Sequence, residues 1–219
     1  LVLGAVFARE DPRDVLVNRH NCPLDGLPPG AKIGTSSPRR AAQLKKYAPQ
    51  VEVVSIRGNV ETRLRKAQGE EADGAILAAA GMIRLGLQDQ VAEYLSTSQF
   101  VPPPGQGILA VEARADDHRM LELLSAINDA DTRYEATAER AFLEKLGGGC
   151  SIPVGAYAQC VEDIMVMTIY MSTEDGKKNF TTKIRGLKRD PLQLAGDAYL
   201  ALVEQGGADL VAAARANQG

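Results

Sequence analysis

Short apolar runs alternate with helix-like patterns through the first hundred residues of the chain. Runs at residues 1–7, 31–34 and 51–56 predict strands, and segments with helical spacing of apolar residues lie between them. Residues 75–80 (Ala-Ile-Leu-Ala-Ala-Ala) fit either a buried strand or the start of a helix, and periodicity alone does not decide between the two. Strands that alternate with helices are typical of an α/β unit.

The last ninety residues follow a different pattern. A helix is predicted at residues 132–145. Three strands joined by short turns are predicted after it, at residues 154–161, 164–172 and 178–185. Short turns between successive strands favour an antiparallel meander. We therefore expect a separate α+β domain with a three-stranded antiparallel sheet.

Residues 101–107 (Val-Pro-Pro-Pro-Gly-Gln-Gly) predict a hinge between domains, because proline fixes φ and the glycines bend the chain. Residues 108–113 then predict a strand, and residues 116–127 predict an amphipathic helix. Its expected apolar face consists of Met120, Leu121, Leu123, Leu124 and Ile127. Both elements are expected to pack against the opening strand.

Composition excludes several classes of partner. The net charge of −3 and the isoelectric point near 5.5 argue against nucleic acid, whose binding proteins usually carry a basic surface. The sequence contains no run of about 18 apolar residues, which is the length that would predict a membrane span. The three cysteines are irregularly spaced and only two histidines accompany them, so neither a disulfide framework nor a metal site is expected, and the reducing cytoplasm fits best.

Residues 34–40 (Gly-Thr-Ser-Ser-Pro-Arg-Arg) combine hydroxyls and arginines at a predicted strand-to-helix junction. Ser36 or Ser37 is the expected N-cap, with Pro38 in the first turn. A helix N-terminus presents free N–H groups, so Arg39 and Arg40 there suggest a cradle for a carboxylate or a phosphate. The alternative is a well-capped surface helix whose arginines are solvated.

Residues 57–59 (Arg-Gly-Asn) repeat this arrangement, with a predicted cap and Arg63 on the following helix. In open α/β sheets the carboxyl ends of the strands converge on the ligand crevice, so Arg39, Arg40, Arg57 and Arg63 are expected to face one cleft. Several arginine forks imply a ligand with several carboxylates. Arg84 is a further candidate for this cleft, whereas Arg65 is expected to be solvated.

Residues 147–150 (Gly-Gly-Gly-Cys) present a single thiol on exposed backbone, because glycine allows unusual φ angles and close approach of another group. The alternative is a small buried cysteine after a helix end.

Seven stretches, in this order and over nearly the whole chain, resemble the porphobilinogen deaminase (hydroxymethylbilane synthase) family. They are residues 9–14, 33–40, 56–63, 77–86, 104–107, 138–141 and 148–155. The resemblance implies an enzyme of tetrapyrrole biosynthesis that condenses four porphobilinogen units onto a dipyrromethane primer. One ammonia is lost at each coupling, and hydroxymethylbilane is released.

The resemblance also implies roles for individual residues. Cys150 would carry dipyrromethane through a thioether. The further cofactor-binding residues would be Arg39, Arg40, Thr35, Ser37, Arg57 and Gly58. Porphobilinogen and the growing polypyrrole would be bound by Arg57, Arg63, Arg84 and Gln106.

By the same resemblance, residues 9–105 form a second domain like a type 2 periplasmic binding protein. Residues 1–8 and 106–127 would be remnants of a similar first domain, and residues 128–219 a third, cysteine-bearing domain.

The family's catalytic aspartate matches no residue of this sequence, and the resemblance places it upstream of Leu1. We therefore expect no catalytic residue in this chain, which alone would be inactive and would need an N-terminal segment of the same protein. A cytoplasmic monomer is expected. The alternative function is an anion-binding module without catalysis, and Cys150 favours the enzyme, since a solute receptor needs no such thiol.

Overall fold

The computed structural model describes residues 1–69, 71–147 and 153–216 and has a mixed α/β architecture with three sheets. The strands are β1 (Val2–Val6), β2 (Asp14–Asn18), β3 (Lys32–Gly34), β4 (Glu52–Val54), β5 (Gly74–Ala78), β6 (Glu93–Tyr94), β7 (Ala110–Ala113), β8 (Val154–Val161), β9 (Ile164–Ser172) and β10 (Asn179–Leu187). The helices are α1 (Pro38–Tyr47), α2 (Val60–Ala67), α3 (Ala79–Arg84), α4 (His118–Ser125), α5 (Ala130–Lys145), α6 (Pro191–Leu202) and α7 (Ala208–Ala216). Within this part of the chain, every helix is too short or too polar to span a bilayer.

The central sheet has five strands in the order β4-β3-β5-β2-β6. Strands β3, β4 and β5 are parallel, whereas β2 runs antiparallel to β5 and pairs Asp14 with Ala78. The carboxyl ends of the three parallel strands, at Gly34, Val54 and Ala78, and the amino end of β2 at Asp14 therefore lie at one edge, called here the carboxyl edge. The chain leaves the sheet at this edge after each parallel strand, and the candidate arginines lie in the turns and helices that follow.

Helix caps define these turns. The Ser37 hydroxyl accepts a hydrogen bond from the Arg40 N–H at 3.4 Å, so Ser37 rather than Ser36 is the N-cap of α1. Asn59 caps α2 by accepting from the Thr62 N–H at 2.9 Å. Residues 75–80 combine both predicted alternatives, because β5 ends at Ala78 and α3 begins at the next residue.

The first unit outside the central sheet consists of β1, β7 and α4. The opening strand pairs antiparallel with β7 as expected, but the predicted apolar face of α4 is only partly correct. Leu124 is buried, whereas Met120, Leu123 and Ile127 are 43%, 60% and 47% exposed. A two-stranded ribbon offers a narrow surface, and the apolar cluster that it forms with α4 contains Leu121 and Leu124 of the helix.

The three-stranded antiparallel sheet, in the order β10-β9-β8, confirms the antiparallel meander predicted for the last part of the chain. Helices α5 and α6 pack against it, and α5 begins two residues earlier than expected because Asp129 caps it through the Thr132 N–H at 2.8 Å. Their shared core includes Phe142, Met167 and Leu194.

Residues 101–107 bend as predicted, and they are bonded on both sides. The Val101 N–H donates to the side chain of Gln43 on α1 at 2.7 Å. On the other side, the carbonyl of Pro102 accepts from the Ala156 N–H of β8 at 2.8 Å. The segment therefore joins the central sheet to the three-stranded sheet through specific hydrogen bonds.

Candidate functional site

Asp14, at the start of β2, is fully buried at the carboxyl edge. One of its carboxylate oxygens accepts from Arg39 Nη1 at 2.8 Å, and the other accepts from Arg40 Nε at 3.0 Å and from Arg40 Nη2 at 2.7 Å. Burial by itself would raise the pKa of Asp14, but the charges of Arg39 and Arg40 and their hydrogen bonds lower it to about 2. Asp14 is therefore ionised at every physiological pH.

Arg39 and Arg40 are themselves only 3% and 8% exposed, so the alternative of solvated arginines is wrong. Arg39 also donates to the carbonyl of Val101 at 2.8 Å, and Arg40 donates to the carbonyl of Ile76 at 3.2 Å. Among the described residues, Asp14 is the one carboxylate that forms an ion pair with either arginine. The cluster of Asp14, Arg39 and Arg40, called here the arginine cluster, thus contains one more positive charge than negative charge.

Gln106 lies against this cluster. Its amide nitrogen donates to the carbonyl of Pro12 at 2.6 Å and to the carboxylate of Asp14 at 3.0 Å. Its amide oxygen accepts from Arg40 Nη2 at 3.4 Å. The predicted substrate residue Gln106 therefore shares a hydrogen-bond network with the predicted Arg40 and with Asp14, which the sequence did not indicate as a site residue.

The hydroxyls of Thr35 and Ser37 lie at the same edge, where they organise the turn before α1. Thr35 is buried, and its hydroxyl oxygen accepts from the Ser37 N–H at 3.1 Å. Both hydroxyls act as acceptors in these bonds, and neither donates to a described residue. Each hydroxyl hydrogen therefore remains available as a donor.

Three more predicted arginines follow the parallel strands. Arg57 is exposed and has no hydrogen bond or ion pair with any residue that the structure describes. Arg63 is half-buried, and its buried Nε has no partner there. Arg84 is exposed and donates to the carbonyl of Gly107 at 2.8 Å, which places it beside Gln106.

Gly58 has a conformation that requires glycine. Its φ is +133°, and a β-carbon at this position would lie 2.6 Å from the Thr62 side chain. The residue after Arg57 therefore allows the tight turn into α2.

Two further charged residues were not predicted as part of the site. Glu139 on α5 is fully buried and forms an ion pair of 2.6 Å with Arg9, whose side chain is 7% exposed. Burial raises the pKa of Glu139, and the charge of Arg9 opposes that effect. Both residues lie in stretches that carried the family resemblance, but no local pattern indicated that they would meet, because 130 positions separate them.

Cys150, the predicted attachment residue, lies outside the described residues. The other two cysteines have free thiols. Burial raises the pKa of the Cys160 thiol to about 12, and the nearby charge of Glu135 adds to that effect. Cys160 is therefore a poor nucleophile.

The resemblance places the catalytic aspartate upstream of Leu1. Leu1 is exposed and directly precedes β1, which begins at Val2. The arginine cluster lies at the start of β2 instead, and its buried Asp14 is already bound to Arg39 and Arg40. The position of the catalytic aspartate upstream of Leu1 stays a prediction, and we assign no catalytic role to Asp14.

Comparison with known proteins identifies the family. Residues 1–122 match the family model described as "Porphobilinogen deaminase, dipyromethane cofactor binding domain", and residues 133–203 match "Porphobilinogen deaminase, C-terminal domain". The chain belongs to the porphobilinogen deaminase family. The predicted family, its dipyrromethane cofactor domain and the enzyme rather than the non-catalytic module are thereby confirmed.

Relatives in this family are similar over almost all of the chain. The porphobilinogen deaminase of Brevibacillus brevis is 44% identical over 213 residues, which cover 97% of this chain and 68% of that protein. The Geobacillus kaustophilus protein of the same name is 45% identical, with 96% and 68% covered. That of Syntrophomonas wolfei is 42% identical, with 98% and 70% covered.

A solved periplasmic binding protein with arginine specificity, from Salmonella typhimurium, aligns with 57% of this chain and 55% of its own. The TM-score is 0.33 and the identity is 18%, which is too low to identify a shared fold. The likeness of residues 9–105 to such proteins stays a prediction.

Proposed function

We propose that the carboxyl edge binds the carboxylate groups of the dipyrromethane cofactor and of the porphobilinogen units that the enzyme condenses. Each pyrrole ring of these molecules carries one acetate and one propionate, so the bound chain is a polyanion. The observation that carries the proposal is the charge balance of the edge. Five arginines lie on its turns and helices, and the described structure pairs one carboxylate, Asp14, with them.

The residues present fit a group with several carboxylates. A buried charge is costly unless it is paired, and the arginine cluster has a positive charge in excess of its single buried aspartate. The buried Nε of Arg63 also has no partner among the described residues. The several carboxylates of the polyanion would supply negative charge to the cluster and an acceptor for Arg63.

The residues divide into two sets in this proposal. Arg39, Arg40, Thr35, Ser37, Arg57 and Gly58 hold the cofactor. Arg57, Arg63, Arg84 and Gln106 hold porphobilinogen and the lengthening chain. When bound, the cofactor would supply the pyrrole carbon to which the first porphobilinogen unit is joined with loss of ammonia, and each later unit would join the free end of the chain in the same way. The arginines bind and orient carboxylates, because the guanidinium fork matches a carboxylate with two parallel hydrogen bonds.

Cys150 is the proposed attachment point. The test is the intact mass of the purified enzyme and of its Cys150→Ser and Cys160→Ser variants. The wild type and Cys160→Ser should each exceed the mass of the bare polypeptide by two linked pyrrole rings, and Cys150→Ser should not. A Cys150→Ser protein that retains the added mass would contradict the assignment, and so would an unmodified wild type that nevertheless turns over porphobilinogen.

The finer organisation belongs to the same proposal. Residues 9–105 would form the α/β domain with the arginine edge and residues 128–219 the domain with the attachment cysteine. Residues 1–8 and 106–127 would belong to the first domain. The free thiols of Cys22 and Cys160 support a reducing compartment such as the cytoplasm, and the enzyme is proposed to act there as a monomer.

A further inference from the structure

Glu139 holds the two segments that connect the β1–β7 ribbon to the central sheet. These are residues 7–13, before β2, and residues 101–109, before β7. Its carboxylate accepts from Arg9 Nη1 at 2.6 Å and Nη2 at 3.2 Å in the first segment, and from the Gly105 N–H at 2.6 Å in the second. A fourth bond, from the Ala158 N–H at 2.8 Å, ties the same carboxylate to β8.

Arg9 extends this contact towards the carboxyl edge. Besides its bonds to Glu139, it donates from Nε to the carbonyl of Gln106 at 2.9 Å. The guanidinium plane thus fixes the backbone of Gln106 relative to α5. A guanidinium is suited to this role because its donors have a rigid, planar arrangement.

The side chain of Gln106 completes the connection. It bonds to Asp14 at 3.0 Å and lies 3.4 Å from Arg40, as described above. We propose that Glu139 is a positioning residue of the arginine cluster, because it holds Arg9 and Gly105 and so sets where Gln106 meets Asp14 and Arg40. This inference rests on the proposed function, in which the arginine cluster binds the carboxylates of the cofactor and Gln106 contacts porphobilinogen.

Glu135 provides a matched control on the same helix. It lies one turn before Glu139 and forms a longer ion pair with Arg9, at 3.4 Å. Its other bond is to the Cys160 N–H at 2.9 Å, and it has no hydrogen bond to residues 101–109. Glu135 thus shares a cationic partner with Glu139 but not the contact that orients Gln106.

The experiment compares KM and kcat for porphobilinogen in the enzyme and in its Glu139→Gln and Glu135→Gln variants. A glutamine at position 139 keeps the side-chain shape but replaces one acceptor oxygen with an NH2 donor. That NH2 group would then lie against a donor of Arg9 or against a backbone N–H. We expect Glu139→Gln to raise KM about tenfold or more, as for the loss of one charge-assisted hydrogen bond, and Glu135→Gln to leave it within about twofold.

The KM comparison separates positioning from a purely structural role. Partial unfolding lowers the amount of active enzyme and the apparent kcat, but it leaves KM unchanged. A Gln106→Ala variant adds a double-mutant cycle, in which Glu139→Gln should raise KM less when Gln106 is already absent. Equal KM shifts in both glutamate variants, or fully additive effects of Glu139→Gln and Gln106→Ala, would overturn the inference.

The wild type distinguishes a failure of the proposed function from a failure of the role of Glu139. If the wild-type enzyme, complete with the N-terminal segment that the resemblance implies, does not turn over porphobilinogen, the proposed function fails. If it does and the two glutamate variants behave alike, only the role of Glu139 fails. Should Glu139→Gln not fold, Arg9→Lys gives the same comparison, because a lysine keeps the charge but does not bond to Glu139 and the Gln106 carbonyl in the same planar arrangement. A KM for Arg9→Lys within twofold of the wild type would then contradict the inference.

Discussion

Gly107 and Glu10 contact each other through their backbones where the two connecting segments cross. The Glu10 N–H donates to the carbonyl of Gly107 at 3.2 Å, and a β-carbon at position 107 would overlap the carbonyl oxygen of Glu10. Gly107 also has a φ of +88°, which disfavours any other residue. Glycine is therefore required here for two independent reasons.

Gly107→Ala and Gly105→Ala form a matched pair that separates these reasons. Gly105 also has a positive φ, of +77°, but a β-carbon there would meet no atom within 4 Å. We expect Gly105→Ala to lower the free energy of unfolding by about 1–2 kcal/mol through backbone strain alone. Gly107→Ala should lower the free energy of unfolding by at least about 1 kcal/mol more, because the backbones of Gly107 and Glu10 must also move apart. Urea unfolding measures both, and equal losses would contradict the close contact.

Asp14→Asn tests the charge balance of the arginine cluster. Removing the one buried carboxylate leaves two buried cations unpaired, so we expect a loss of about 3–5 kcal/mol in the free energy of unfolding at pH 7. The comparison is made by urea unfolding. A loss below about 1 kcal/mol would mean that Asp14 does not neutralise Arg39 and Arg40 in solution.

The same variant has a pH signature. The pKa of Asp14 is lowered in the folded state, so its contribution to stability is present above its ordinary pKa near 3.8 and is lost as the pH falls towards about 2. The lowering corresponds to roughly 2 kcal/mol. Unfolding measured at several pH values from 5 to 2 should show a shallower fall for Asp14→Asn than for the wild type. The raised pKa of Glu139 changes stability with pH in the opposite direction. This effect is present in the wild type and in Asp14→Asn alike, so it cancels when the two proteins are compared. Parallel curves would contradict the low pKa.

Arg57→Leu tests the proposed ligand contacts of the edge. Arg57 is exposed and has no partner among the described residues, so its removal should affect binding rather than stability. Loss of one charged hydrogen-bonding group costs about 1.5–3 kcal/mol, or roughly a ten- to hundredfold lower kcat/KM for porphobilinogen. The matched control is Arg65→Leu on helix α2, which follows the turn of Arg57, and it should leave kcat/KM within about twofold. Equal kinetics for the two variants would place Arg57 outside the site.

Cys160 should react slowly with iodoacetamide in the folded protein. With a thiol pKa of about 12, roughly one molecule in ten thousand is a thiolate at pH 8. In a protein whose other two cysteines are serine, unfolding in urea should speed alkylation by about a hundredfold or more. Glu135→Gln should speed it in the folded state by lowering the thiol pKa. Alkylation that is equally fast before and after unfolding would contradict the raised pKa.

Local sequence patterns predicted much of the fold because they act over a few residues. Ser37 followed by Pro38 defines the start of α1, and Asn59 defines the start of α2. Each cap side chain accepts a hydrogen bond from the backbone N–H three positions later. Residues 75–80 were ambiguous because a buried strand and a buried helix have the same all-apolar composition. The exposed residues of α4 were mispredicted because amphipathic spacing identifies an apolar face but not how much of it a neighbour covers.

The arginines of the site could be predicted from their position after strands, but their environment could not. Arg39 and Arg40 were equally compatible with a solvated helix end, and they are buried because Asp14 comes from an antiparallel strand 25 positions earlier. The contact between Arg9 and Glu139 spans 130 positions, so no spacing rule brings them together. Such buried pairs depend on the assembled topology, which a single sequence leaves open.

The reversed direction of β2 determines at which rim the chain enters the central sheet. Had β2 run parallel to its neighbour β5, the chain would have entered the central sheet at the opposite rim, a strand length away from the arginines. Because β2 is reversed, the chain arrives at Asp14 on the rim that contains the arginines, and the departing segment leaves beside it at Gln106. Both connecting segments therefore reach the central sheet at the rim where we propose that the polyanion binds, and the hydrogen bonds from Gln106 to Pro12 and Asp14 link the two segments there.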